Sequence, residues 1–115
     1  EFYCKALNVA VILSRPFHET IHGHRIENAK NDLCRKNNIR LIRILEAGCR
    51  TYDNCMCLQC DDESLESYDW ALISLFNALG IAMNVDCERD MREMFLWYQK
   101  YQMSEKVCLA RKCLV

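Results

Sequence analysis

The stretch from Ile26 to Ile44, IENAKNDLCRKNNIRLIRI, carries three structural instructions in succession. Ile26, Ala29, Leu33 and Cys34 recur at helical spacing, and Asn28, Lys30, Asn31, Arg35 and Lys36 take the other side, so the first instruction is an amphipathic helix of about three turns. Asn37-Asn38 supplies the residue type that tolerates a left-handed C-terminal cap. Arg35 and Lys36 place positive charge on the last turn, where the helix dipole favours it. Ile39, Leu41, Ile42 and Ile44 then form a β-branched-rich run with Arg40 and Arg43 at its margins, the pattern of a sheet strand covered on both faces.

Working outward toward the N-terminus, FYCKALNVAVIL (residues 2–13) gives a short apolar start, a polar break at Lys5 and Asn8, and a continuous run from Val9 to Leu13. This is a strand or hairpin feeding the same sheet. A chain that opens directly on such material reads as a fragment of a longer protein. Residues 14–25, SRPFHETIHGHR, form a polar loop holding the only proline and all three histidines. Loops at the carboxyl ends of strands are where α/β folds keep their chemistry. His18, His22 and His24 are therefore candidates for a general base, a phosphate contact or a metal ligand, His18 foremost because it follows the strand most closely. The competing reading is a polar loop that uses none of them.

Toward the C-terminus, residues 45–64 contain Cys55-x-Cys57-x-x-Cys60 with Cys49 six residues earlier. Four thiolates could hold zinc in a tetrahedron. The spacing is not the paired C-x2-C of a zinc ribbon, however, and period-2 alternation on a strand would place Cys55 and Cys57 on one face as ordinary small side chains. Residues 64–79 predict a second helix, capped by Ser64 and closed by Gly80, with Leu65, Tyr68, Leu72, Leu75, Phe76 and Leu79 as its buried stripe and Trp70 off it. IAMNVD (residues 81–86) is a short strand or connector. Asp86 then caps a last helix whose Met91, Met94, Phe95, Tyr98 and Tyr101 share a face.

Composition limits the alternatives. The 115 residues suit one domain, and 51% apolar content with one proline and three glycines describes a folded chain rather than a disordered one. Net charge is −1, yet residues 15–50 carry +4 and residues 51–115 carry −5, so only the first part is suited to phosphate. No run approaches the roughly 18 apolar residues a membrane span requires, and the N-terminus shows no signal-peptide pattern. A cytoplasmic location is the expectation, with the nine cysteines mostly reduced and structural.

The run NDLCRKNNIRLIRI (Asn31 to Ile44), together with Leu79-Gly80-Ile81 followed by the helix begun at Glu88-Arg89-Asp90, resembles small endonuclease modules related to very-short-patch-repair enzymes that occur beside zinc ribbons. The resemblance covers about residues 3–105. It implies a restriction-endonuclease-like α/β domain over residues 1–105 with a tail at 106–115, a small mixed sheet of three to four strands, about three helices, and Mg²⁺-dependent cleavage of DNA. It also implies neighbouring zinc-ribbon domains in the parent chain. Carried onto this sequence, Phe17-His18 matches the family's aromatic-histidine pair and Glu1 falls at the first acid. Arg15, Arg25, Lys30, Arg35 and Lys36 would contact phosphates. The central carboxylate positions hold Ile12 and Ser14, and Arg15 stands at the family's glycine. A hard cation needs carboxylate oxygens there, so the resemblance carries with it the expectation of a degenerate catalytic centre unless Glu19 or Glu27 compensates. The alternative is a non-catalytic interaction or scaffold domain, with zinc on Cys49, Cys55, Cys57 and Cys60 as a further variant.

Overall fold

The Val9–Ser14 run does become a strand, and it organises a sheet around itself. A computed structural model describes the backbone of residues 1–16 and 20–113 and the side chains through residue 100. Strands β1 (Phe2–Cys4), β2 (Val9–Ser14), β3 (Arg40–Leu45) and β4 (Met56–Gln59) form one sheet in the order β1-β2-β3-β4. The first pair is antiparallel; β2–β3 and β3–β4 are parallel. With helices α1 (Ile21–Lys36), α2 (Leu65–Ala78) and α3 (Cys87–Cys113), the chain is an α/β protein with a four-stranded mixed sheet and three helices. It divides into two compact units, Glu1–Val85 and Asp86–Val115.

Two asparagines in the left-handed region set the register of the parallel pair. Asn8 (φ 51°) closes the β1–β2 hairpin and Asn38 (φ 54°) ends the α1–β3 turn, a conformation that asparagine adopts at less cost than most side chains. Asn8 Nδ2 donates to the Asn38 carbonyl at 2.7 Å, and the Arg40 amide donates to the Asn8 carbonyl at 3.0 Å. Val9 therefore pairs with Arg40, and every following pair down to Ser14 with Leu45 is determined.

Helix α1 starts five residues earlier than its apolar spacing predicts. Thr20 is the N-cap, its Oγ1 accepting from the Gly23 amide at 3.0 Å. His22 and His24 thus lie in the helix rather than in a loop. The predicted apolar stripe is not the packed face: Leu33 is 62% exposed and Ile26 44%, whereas Glu27 and Asn31 are buried. Asn37 caps the C-terminus, its side chain donating to the Leu33 carbonyl, as the twin asparagines predict.

The opposite face of the sheet is conventionally apolar. Alternation directs Val9, Ile42, Ile44 and Leu58 toward Ala71 and Leu75 of α2, with Val11, Leu13, Tyr68, Leu72 and Leu79 packed around them. Asp62 accepts from the Ser64 and Ser67 hydroxyls and the Ser64 amide, which hold its carboxyl down at about 2, while Ser64 caps α2. Gly80 (φ 69°) and the Ile81 amide to the Phe76 carbonyl close the other end. Residues 81–86 form no strand. In the second unit, Asp86 Oδ1 accepts from the Arg89 amide at 3.0 Å and starts α3 as expected. Among the described residues, no helix is long and apolar enough to cross a membrane.

Candidate functional site

A charged side chain at the centre of a strand covered on both faces must bring its partners with it. Arg43 sits in the middle of β3 and is fully buried, and alternation turns it to the α1 face, away from the apolar core. It is not the strand-margin residue that the sequence pattern predicts. All five guanidinium hydrogens are used: Nε donates to Asn31 Oδ1 (2.9 Å), Nη1 to Ser14 Oγ (3.0 Å) and Glu27 Oε2 (2.6 Å), and Nη2 to the Glu27 carbonyl (3.1 Å) and Asn31 Oδ1 (2.6 Å). This requirement explains why α1 buries its Glu27–Asn31 side. One helical turn separates those two residues, the spacing that lets both reach a single guanidinium.

The segment between β3 and β4 closes the network from outside. Tyr52 is buried with the Arg43 guanidinium carbon 4.5 Å from its ring centroid, a cation–π contact, and His24 stacks on Tyr52 at 5.6 Å and 23°. Asn31 Nδ2 donates to Asn54 Oδ1 at 3.0 Å. His24 Nδ1 is a buried atom with no hydrogen-bond partner among the described residues.

The network extends outward as alternating charge. Lys30 Nζ donates to Glu27 Oε1 at 2.9 Å and also to Glu1. Burial opposes ionisation of Glu27, but hydrogen bonds from Arg43 and Lys30 outweigh it and hold the carboxyl below its ordinary range. The hydrogen bond from Lys30 lowers Glu1 in the same way, and its bond to Glu1, with Glu27 adding to it, raises Lys30.

Set against this geometry, the predicted residues separate. His18 and Glu19 lie outside the described residues. Glu1 is on the surface at Lys30, and His22 is exposed. Of the five phosphate candidates, Lys30 pairs with Glu27 and Glu1, Arg35 with Asp32 (3.2 Å), and Arg15 stands 3.8 Å from Glu46. Arg25 and Lys36 are exposed, with no acidic partner among the described residues.

The four cysteines proposed for zinc do not converge. Cys55 and Cys57 are close, Sγ to Sγ 4.0 Å, but Cys49 Sγ donates to the Ser14 carbonyl. Cys60 falls on the α2 face, its thiol toward the Ser67 carbonyl. Strand alternation is the cause, since Cys57 and Cys60 are three residues apart. Among the described residues, no group of three or more His, Cys, Asp or Glu side chains comes together in a way that could hold a metal ion.

Ile12 and Ser14 sit side by side on the α1 face, both buried; Ile12 is the direct neighbour of Arg43 across the parallel pair. A hard cation does not fit there: one position offers no oxygen, the other a hydroxyl already bonded to a guanidinium, and Glu27, the carboxylate on that same guanidinium, is held by two cations. Of the residues that make this site, Arg43 was legible only as a charge beside an apolar run, Asn31 as part of the helix's polar side and Glu27 as a spare acid, and Tyr52 carried no signal. No family model, curated protein or solved structure matches this chain.

Proposed function

We propose that the chain is a restriction-endonuclease-like module, related to the very-short-patch-repair type, that no longer cleaves and works in the cytoplasm by binding. The observation that carries this reading is the hydrogen bond from Arg43 Nη1 to Ser14 Oγ. At the position where the resembling modules need a metal-binding carboxylate, this chain has a serine hydroxyl facing a buried cation. A fixed positive charge there disfavours Mg²⁺, and no step of phosphodiester hydrolysis is assigned to these residues.

DNA is the partner that the resemblance suggests, and the charges set how strongly it could be held. If all five predicted cations met phosphates, log K would fall with log salt at a slope of about −4.5. With Lys30, Arg35 and Arg15 each beside an acid, Arg25 and Lys36 remain, and the slope falls to about −2. The test is plasmid nicking in Mg²⁺ and Mn²⁺ alongside filter retention of duplex DNA across a salt series. Intact plasmid with weak, salt-shallow retention that drops in Arg25→Ala/Lys36→Ala is expected. Metal-dependent nicking that vanishes in His18→Ala would overturn the reading. Intact plasmid with no retention would leave the interaction or scaffold role, which the acid pairing of three of the five cations favours.

A further inference from the structure

Beside the arginine network, with the Arg43 guanidinium acting on Cys55, lies the thiol pair Cys55–Cys57. Both are half-buried and reduced, with Sγ atoms 4.0 Å apart. A disulfide requires about 2.05 Å, so the sulfurs must close by roughly 2 Å, a change within reach of a χ1 rotation and a small backbone adjustment. The backbone can give: β4 is the last strand of the sheet, its ladder begins at Met56, and Cys55 lies before it. Cys49 is held on the Ser14 carbonyl and Cys60 lies through the sheet on the other face, which leaves Cys34, lining the same cleft as Cys55, as the competing partner.

The surroundings are those of a site an oxidant can reach. Cys55 lines an open cleft of about 250 Å³ between the end of α1 and the start of β4, whose walls include Cys34, Arg35, Arg40, Asn54 and Met56. Its two arginines are already engaged, Arg35 with Asp32 and Arg40 with the Ala78 carbonyl, so the walls carry no strong preference for either sign of charge. Cys57 lies behind, and the Tyr52 amide donates to its Sγ at 3.4 Å, directing an N–H at the atom where negative charge develops as the thiol proton leaves. Burial, and then the nearness of Cys57, push the Cys55 thiol up to about 11 against the opposing pull of the Arg43 guanidinium, so Cys55 stays a thiol until an oxidant is delivered to it.

We propose that Cys55 and Cys57 form a thiol–disulfide site whose oxidant is a small soluble disulfide of the glutathione class. Cys55 gives up its proton to solvent and its sulfur attacks one sulfur of the oxidant. The oxidant's S–S bond breaks and one thiol departs, taking a proton. Cys57 then gives up its proton and attacks Cys55 Sγ, expelling the second thiol and closing the Cys55–Cys57 bond. The protein loses two hydrogens and two electrons, and the disulfide is reduced to two thiols.

The full chain is incubated with glutathione disulfide, alkylated under denaturing conditions, and cleaved with chymotrypsin, whose sites after Met56 and Leu58 separate Cys55, Cys57 and Cys60. The expected result is a Cys55–Cys57 linked peptide as the main product with Cys60 alkylated. Cys57→Ser should stop at a mixed disulfide on Cys55, a gain of one glutathione in mass. Linkage of Cys55 to Cys34, of Cys57 to Cys60, or modification elsewhere with both thiols still alkylated would overturn the proposal; these are read on the unmutated protein and do not depend on a variant folding.

Discussion

Glu27→Gln tests the buried network at its most sensitive point. The substitution keeps the side chain's size and leaves an amide oxygen near Arg43, but it removes the counter-charge from a guanidinium that has no exposed surface. Stripping one partner from a buried pair costs about 3–5 kcal/mol, because the remaining charge stays desolvated. Lys30 adds to the loss, since it too donates to Glu27. Arg43→Met differs in kind: no charge is stranded, as Glu27 keeps Lys30, but the acceptors on Asn31 and Ser14 lose their donor, at about 1–3 kcal/mol in total. The double variant Glu27→Gln/Arg43→Met should therefore cost less than Glu27→Gln alone, with a coupling energy of about 2 kcal/mol or more. Urea unfolding followed by far-ultraviolet circular dichroism reads this directly. With a slope of about 1.5 kcal/mol/M, Glu27→Gln lowers the midpoint by roughly 2–3 M, a large share of the about 5–15 kcal/mol that holds a domain together. A Glu27→Gln protein within about 1 kcal/mol of the parent, or a double variant less stable than either single, would refute the claim that Arg43 is desolvated and held by this carboxylate.

Further outcomes follow from the same structure. Because the Glu27 carboxyl is held below the 4.5 of an unperturbed glutamate, its contribution is complete above that pH and fades as pH falls through the lowered folded-state value; Glu27→Gln should flatten the acid limb of a stability-against-pH curve while leaving the region above pH 6 parallel to the parent, by roughly the span this titration covers. Thr20→Ala and Ser64→Ala each remove a helix N-cap and should cost about 1 kcal/mol in urea unfolding, with Thr20→Gly losing only a few tenths. Asn38→Val places a β-branched side chain at φ 54° and should destabilise by about 1–2 kcal/mol, while Asn38→Gly stays close to the parent. Tyr52→Leu removes the ring over Arg43 and the stack with His24 and should cost about 1–2 kcal/mol; an unchanged midpoint would show that the ring does not cover the guanidinium.

The amino-acid sequence by itself determined where helix gives way to strand. Asn37-Asn38 ends α1 because few other side chains adopt φ near 54°, Ser64 and Gly80 bracket α2, and the Ile39–Ile44 run demands a doubly covered strand. These are local effects, decided by a residue and its near neighbours, so an ordered reading of the chain finds them. The start of α1 is not legible in this way: residues 14–25 read as a loop, because the first turn of the helix that Thr20 caps has no apolar periodicity.

Only the tertiary structure decided which side of α1 is buried. Apolar spacing points to Ile26 and Leu33, and both stay exposed, because a guanidinium at the centre of β3 stabilises a polar face against itself. Hydrophobic periodicity cannot anticipate that preference; it arises from Arg43, 16 residues from Glu27 along the chain, needing five acceptor contacts in a space from which water is excluded. Strand alternation likewise separated Cys60 from Cys57 and left Cys55 beside it, so a cluster of four thiols in sequence becomes one pair in space.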